Sequence, residues 1–348
     1  MRKKQIFNRT FHELTGCIHN HTEYSFDCVI KIEKILKAAK NNDLDYITIN
    51  DHMTLDAAKD ASVLNEKEII VIVGAEVNDE TNNNHFLVYN VDKILQEKDA
   101  KKYVEYYIQN GAIGFAAHPH EKRSCSLLRK YIWTDIANDD FTGLEVWNAL
   151  SDWVSRMNPR LNGLFLVLFP SFFIKKPLRK NLKYWDSLNN AGKRKVAIGS
   201  VDAHSETFKK WGIKFVFLTH NSLFKTVRTN LLINEKKEIN EENVLNAIKN
   251  GNSYIVNYKM GNPYNFYAGI KSENQNAIFG EEIEFTDDLK LYFRLPKNAK
   301  VKLFRNGIIT EKIYDEKGFF PITKKGNYRL EITRFSKGWI YTNNIYVV

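Results

Sequence analysis

The sequence predicts an α/β fold: a β/α barrel over residues 1–258, followed by a small all-β, sandwich-like domain over 259–348. Three observations carry this expectation. Short apolar runs suited to buried strands recur with helical patterns between several of them, and such alternation implies a parallel sheet. The runs number seven or eight, which favours closure into a barrel over an open sheet. Beyond about Lys236 the pattern changes, and from Asn265 short strands divided by turn signals replace it.

The apolar runs are Thr15 to Ile18, Tyr46 to Ile49, Ile69 to Val73, Phe86 to Tyr89, Ile113 to Ala117, Leu144 to Trp147, Val196 to Ile198 and Phe215 to Leu218. A helical pattern from Ile32 to Asn42 places Ile32, Ile35, Leu36 and Ala39 on one face. Another runs from Lys101 to Asn110 and stops at Gly111, a residue suited to a left-handed C-terminal cap. Asn240 to Gly251 reads as a capped amphipathic helix with Val244, Leu245 and Ile248 inward, the last helix of the barrel domain. The final domain shows strands at Asn265 to Ile270, Lys290 to Leu295, Lys300 to Phe304, Tyr328 to Thr333 and Trp339 to Val348. Arg305-Asn306-Gly307 supplies a hairpin turn. No residue cluster there suggests chemistry.

Composition sets the outer bounds. The chain has 348 residues, 43% hydrophobic and 26% charged, which is the balance of a soluble globular protein. Its net charge of +10 suits anionic partners, but much of the excess is scattered lysine and reads as a solvated basic surface. Cys17, Cys28 and Cys125 are odd in number and lack paired spacing, which argues for a reducing compartment over a disulfide framework. The basic start Met1-Arg2-Lys3-Lys4 is followed by no apolar core, so it is no secretory signal and a cytoplasmic location is expected. The apolar run Gly163 to Ile174 is twelve residues long and contains Pro170, too short to span a bilayer. It reads as a core or dimer-packing segment; peripheral membrane contact and closure over a pocket are the alternatives.

The residues at the end of each apolar run carry the functional signal. The first run ends in His19 and His21, and two positions along a strand point both imidazoles to one side. The second ends in Asp51 and His52, the third in Gly74-Ala75-Glu76, the fifth in His118-Pro119-His120. The sixth carries Glu145 and Asn148, the seventh ends in Asp202 and His204, the eighth in His220, and His85 precedes the fourth. Each has a plain alternative: Asp51 as a helix cap, His118 as part of a turn, Glu76 as a surface charge, Asp202 to His204 as a polar loop. Taken together, matching positions at the C-terminal ends of barrel strands converge on one mouth, where such barrels keep their chemistry.

The set His19-Asn20-His21-Thr22, Asn50-Asp51-His52, Gly74-Ala75-Glu76, His85, Ala117-His118-Pro119 and Asp202-Ala203-His204 resembles the polymerase-and-histidinol-phosphatase (PHP) superfamily over residues 14 to 258. The resemblance implies a distorted seven-stranded, TIM-like barrel with a trinuclear metal centre. Lys183-Tyr184-Trp185-Asp186 before Gly199-Ser200-Val201-Asp202, and the ending from Trp339 to Tyr346, look like the branch containing a carbaryl (carbamate ester) hydrolase. Carried over by position, it implies one metal held by His19, His21, Glu76 and Asp202. A second would be held by bridging Glu76 with His85 and His118, and a third by Asp27, His52 and His204. Asp27 stands one residue later than the Ser-Asp-Gly acid of many members, and Asp51 is cast behind the ligands. Imidazole and carboxylate without thiolate suit Zn, Mn or Fe.

Such a centre implies hydrolysis by a hydroxide bridging two cations, with Glu76 and Asp202 in catalytic roles. His120, Lys122 and Arg123 are candidates for a clamp on phosphoryl oxygens, against the alternative of an exposed basic loop. His220 either protonates a leaving group or is a core histidine. The expectation is therefore a metal-dependent phosphoesterase of class EC 3.1 acting on a small-molecule ester. Carbamate or carboxylic ester hydrolysis on the same site is the first alternative, and a metal-stabilised nucleic-acid-binding module without catalysis the second. No specific nucleic-acid partner is expected, and the oligomeric state is left open.

Overall fold

The computed structural model describes residues 2–124, 128–135, 137, 139–158, 165, 168–210 and 213–348, with 207–210 and 213–215 as backbone alone. Cys125 and part of the apolar run 163–174 lie outside the described residues.

Strand β1 (Arg2–Ile6) folds back antiparallel on β2 (Arg9–Asn20), which is the longest strand of the barrel half. β2 then pairs in parallel with β3 (Tyr46–His52), and β3 with β4 (Ile70–Val77). β5 (Phe86–Tyr89) runs antiparallel to both β4 and β6 (Ile113–Ala116). β7 (Gly143–Asn148) and β8 (Val196–Ala203) restore parallel pairing, and β8 returns to β2 to close a seven-stranded barrel.

The closed α/β barrel is thus as expected, with two corrections. The sheet is not wholly parallel, because β5 is reversed. That reversal puts the start of β5 at the mouth, which is why His85 precedes its strand whereas the other site residues follow theirs. The run Phe215 to Leu218 is no barrel strand either. Its first two residues end β10 (Ile213–Val216), which makes a separate hairpin with β9 (Thr207–Lys210).

The helices pack as their periodicity dictates. Helix Ile32–Lys40 buries Ile32, Ile35, Leu36, Ala38 and Ala39, and helix Ala100–Gln109 buries Tyr103, Val104 and Tyr107. Asp99 caps the second by accepting the Lys101 amide, and Gly111 follows its end at φ +82°, where a side chain would be strained. Helix Glu241–Lys249 starts on Asn240, whose side chain accepts the Asn243 amide. Among the described residues no helix is long and apolar enough to cross a membrane.

β11 (Val227–Asn234) and β12 (Ser253–Asn257) extend the sheet from the outer half of β2. The last stretch adds β13 (Tyr267–Lys271), β14 (Asn276–Ala277), β15 (Glu282–Ile283), β16 (Lys290–Arg305), β17 (Ile308–Pro321), β18 (Gly326–Arg334), β19 (Lys337–Thr342) and β20 (Ile345–Val347). Asn306 and Gly307, at φ +51° and +76°, form the two-residue turn between β16 and β17. β19 pairs with β12, so this all-β unit is continuous with the barrel sheet. Its core of Phe266, Ile270, Leu291, Phe293, Leu303, Leu330, Ile332 and Trp339 also takes in Ile6, Phe11, Leu232, Tyr254 and Val256 from the earlier chain. Between the two halves, Arg329 is buried and makes a bidentate pair with Asp186 of helix Arg179–Asn190, with both contacts at 2.9 Å.

Candidate metal centre

The barrel mouth is built on unusual backbone. His19, His118 and Asp202 adopt φ of +69°, +30° and +54°, a region that side-chain-bearing residues seldom occupy. The pairing of β2 with β3 and with β8 skips register around His19, so the His-x-His pair spans a bulge. Simple strand alternation is therefore not what brings the two imidazoles together. The bulge re-aims His19, and the two rings still lie 5.0 Å apart on the same carboxylate.

That carboxylate is Glu76, fully buried at the end of β4. Its Oε2 lies 3.0 Å from His19 Nε2, 3.3 Å from His21 Nε2 and 3.5 Å from His52 Nε2. Its Oε1 lies 2.7 Å from His85 Nδ1 and 3.2 Å from His118 Nε2. Asp202 Oδ1 is 3.5 Å from both His19 Nε2 and His21 Nε2. On the far side, Asp27 Oδ2 stands 3.1 Å from His52 Nε2 and 3.0 Å from His204 Nε2. Three groups have donor atoms close enough to share an ion: His19, His21 and Glu76; His52, Glu76 and His85; and His21, Asp27, His52 and His204. All nine residues of the expected ligand set meet here, and His52 stands between two groups.

The outward-facing nitrogens of these rings are mostly engaged. His19 Nδ1 lies 2.7 Å from Glu145 Oε1, His118 Nδ1 3.2 Å from the Tyr131 carbonyl and His204 Nδ1 3.1 Å from the Asp202 carbonyl. His85 Nε2 lies 3.0 Å from Asn82 Oδ1, and His21 Nδ1 3.3 Å from Ser25 Oγ. With protons on the outer nitrogens, the inner ones present lone pairs to the centre. His21 Nε2 is buried without a hydrogen-bond partner, although two carboxylate oxygens lie within 3.5 Å of it. Nitrogen and oxygen lone pairs converging in this way fit a divalent cation.

Electrostatics agree. Burial alone would push the Glu76 and Asp202 carboxyls up, but the surrounding histidines hold both well below the carboxylate range. Burial likewise opposes charge on His21 and His118, yet the carboxylates push them up to about 10 and about 9. Three buried carboxylates, Glu76, Glu145 and Asp202, with the more exposed Asp27 beside them, thus demand positive charge in their midst.

Residues 18–131 match the PHP domain family. That PHP stretch contains His19, His21, Asp27, His52, Glu76, His85 and His118, while Asp202 and His204 lie beyond it. No curated protein matches the chain. Among solved structures, the chain is similar to a two-domain protein containing a predicted PHP-like metal-dependent phosphoesterase from Bacteroides vulgatus. Identity is 15%, covering 96% of this chain and 95% of that one, with a TM-score of 0.47. It is also similar to a candidate metal-dependent phosphoesterase from Bifidobacterium adolescentis, at 13% identity over 67% of this chain and 94% of that one, with a TM-score of 0.34.

The remaining residues singled out in the sequence take other places. His120 Nδ1 lies 3.1 Å from Asn181 Oδ1 and its ring meets Tyr184 edge-on, so it faces helix Arg179–Asn190. Arg123 is held by Glu121 in two contacts of 2.9 Å, and its guanidinium lies over the ring of Tyr131, which in turn neighbours His85. His220 Nε2 sits 3.0 Å from the His21 carbonyl and Nδ1 3.0 Å from Ser205 Oγ; burial first, then His204 and His21, push its pKa down to about 3. A ring bonded at both nitrogens is a brace for His21. Asp51 accepts both the amide and the hydroxyl of Thr22 at 2.6 Å, fixing the loop that carries Asp27.

Two residues gained a role that spacing did not assign. Glu145 is fully buried, and besides His19 it accepts the His118 amide and the Asn148 side-chain amide, each at 2.9 Å. Asn148 also donates to Asp202 Oδ2 at 3.0 Å. The available signal was a carboxylate in the middle of the apolar stretch Gly143-Leu144-Glu145-Val146-Trp147.

Proposed function

We propose that the protein is a metal-dependent hydrolase of the PHP type, with up to three divalent cations (Zn, Mn or Fe) at the barrel mouth, acting on a phosphoester. The observation that carries this is Glu76, whose two carboxylate oxygens each face a different set of imidazoles, as a ligand shared between cations would. His19, His21 and Asp202 would complete one site, His85 and His118 the second, and Asp27, His52 and His204 the third. Bound cations supply Lewis acidity, lowering the pKa of water and neutralising charge on substrate oxygens.

The protein's own residues orient and exclude. Glu145 fixes the tautomer of His19, and Asn148 locks Glu145 to Asp202. Arg123, whose guanidinium lies over the Tyr131 ring that neighbours His85, is the cation we assign to phosphoryl oxygens, and His120, held on Asn181, is the second group of that clamp. The division into a catalytic unit over 1–258 and an accessory β unit over 259–348 belongs to the same proposal.

One observation favours the carbamate or carboxylic ester alternative. Tyr24, Phe26 and Val29 form an exposed apolar rim on the Asp27 loop, and Phe26 stacks on His52 at 4.8 Å while remaining 79% exposed. Such a rim suits a substrate with an apolar or aromatic part.

The test is parallel turnover of a phosphomonoester, a phosphodiester, an aryl carbamate and an aryl carboxylate, with Mn or Zn supplied and Asp202→Asn as control. Phosphoester turnover that falls at least about a hundredfold in the variant is expected. Turnover confined to the carbamate or carboxylate would move the assignment to the alternative. Turnover unaffected by chelation would sink the metal-dependent mechanism.

A further inference from the structure

A large groove lies apart from the metal centre. It measures about 1190 Å³ and runs between helix Arg179–Asn190 with its preceding loop on one wall and the β16–β18 face on the other. It exceeds the range of about 300–1,000 Å³ typical of small-molecule pockets.

The origin of each wall is legible in periodicity. Arg179, Leu182, Lys183 and Asp186 fall at helical spacings that share one face. On β16, Lys300, Lys302 and Phe304 alternate outward while Val301 and Leu303 enter the core, and the register sets them opposite Thr333, Glu331 and Arg329 of β18. The Arg329–Asp186 pair ties the two walls together at the groove floor.

Charge is what distinguishes this groove. Nine basic side chains and two acidic ones line it, a surplus of seven against +10 for the whole chain. Both acids, Asp186 and Glu331, are already bonded to Arg329. Lys122, Lys176, Arg179, Lys183, Lys300 and Lys302 make no ion pair among the described residues. The basic excess that reads as scattered along the sequence is therefore gathered by the fold. Cations left without counter-charges on two facing walls lower the free energy of a polyanion laid between them.

Exposed aromatics decide which polyanion. Tyr314, opposite Lys300, is 71% exposed, and Phe335, in the turn after β18, is 81% exposed. Both line the groove. Alternating cations and bare aromatic faces suit a strand whose phosphates and unstacked bases are both available. Lys122 belongs to the loop that also carries His118, so one end of the groove is built from the segment that feeds the metal centre.

We propose that this groove binds single-stranded nucleic acid without sequence preference. Binding is independent of metal, so its failure is separable from failure of the hydrolase assignment.

The experiment is fluorescence anisotropy of a labelled twenty-residue oligothymidylate with the full chain in EDTA, at salt concentrations from 50 to 200 mM. Six phosphate contacts predict a slope of log K against log salt near about −4. The double variant Lys300→Glu/Lys302→Glu should weaken binding at least tenfold and flatten the slope, and Lys183→Glu on the opposite wall should act in the same direction. Tyr314→Ala/Phe335→Ala should weaken oligothymidylate at least fivefold while leaving heparin affinity unchanged. All these positions are at the surface, and unchanged circular dichroism melts would exclude misfolding.

Absence of binding at 50 mM salt, or wild-type affinity in the charge variants, would overturn the proposal. So would wild-type oligothymidylate affinity in the aromatic variant, which would leave a purely electrostatic surface. Tighter binding to phosphatidylserine vesicles than to the oligonucleotide would also overturn it.

Discussion

At the scale of the residue, the mouth of the barrel shows how side chains are aimed by groups that stand behind them. Glu145 lies behind His19 and under the His118 amide, so it orients the His19 ring and fixes the backbone that carries His118. Glu145→Gln keeps the shape and removes the charge that holds the His19 proton on Nδ1. Metal affinity should fall about 10–100-fold, read by competition with a chromogenic chelator; an unchanged affinity would make Glu145 merely structural. Most of the candidate ligands were legible because they are polar residues placed where an apolar run ends; His85 instead precedes its run, and Asp27 lies in the loop beyond the first. Glu145 was harder to assign, since sequence distance does not reveal that β7 sits between β6 and β8 and turns its carboxylate toward β2. His120 shows the converse: two residues from His118, it points to a neighbouring helix because the chain turns at His118.

At the scale of the element, close strand approach explains where glycine is required. A Cβ on Gly143 would lie 2.1 Å from the Val196 carbonyl oxygen of β8, a backbone contact that no rotamer relieves. Gly143→Ala should therefore cost about 3 kcal/mol in urea unfolding, and a loss below about 0.5 kcal/mol would show that the strands are more loosely joined than described. Arg329 makes a second case. It is buried between Asp186 and Glu331, so Arg329→Met leaves two carboxylates uncompensated and should destabilise by about 3–5 kcal/mol. Adding Asp186→Asn and Glu331→Gln should restore much of that, measured by the same unfolding. Strands with one clean apolar face were legible from pattern. β17 was not, because most of its residues are exposed and it alternates only weakly. β1 went unread because its residues are mostly charged, and the reversal of β5 is a property of pairing that a four-residue apolar run does not encode.

At the scale of the whole molecule, burial governs how the protein meets alkali. Of 17 tyrosines, Tyr184 and Tyr346 are pushed up to about 12 by burial, and burial also raises Tyr46, Tyr89, Tyr103, Tyr254 and Tyr341. A phenol whose folded pKa exceeds its unfolded value near 10 stabilises the fold fully below pH 10. That contribution is lost as pH rises through the folded value, so these groups favour unfolding above about pH 10 and increasingly toward 12. Absorbance at 295 nm should show exposed phenols ionising first and the buried ones only together with loss of circular dichroism. One smooth ionisation near pH 10 with the fold intact would contradict this.

The double employment of β2 has a temporal consequence. Its inner half carries His19, and its outer half lies in the sheet shared with β11 and, through Phe11, in the core of the terminal β unit. During synthesis β2 emerges long before these partners, yet Ile18 pairs with Ser200, and Lys4 of the adjoining β1 bonds to Tyr254. A ribosome that has reached Ala100 has delivered His19, His21, Asp27, His52, Glu76 and His85 with no closed ring to hold them. About 180 residues must follow β2 before its closing partner arrives. Contacts of such separation make for slow folding and a prolonged exposed edge. The nascent chain thus keeps an unclosed barrel edge in solution until β8 arrives, and the outer sheet waits longer still, until β19 pairs with β12.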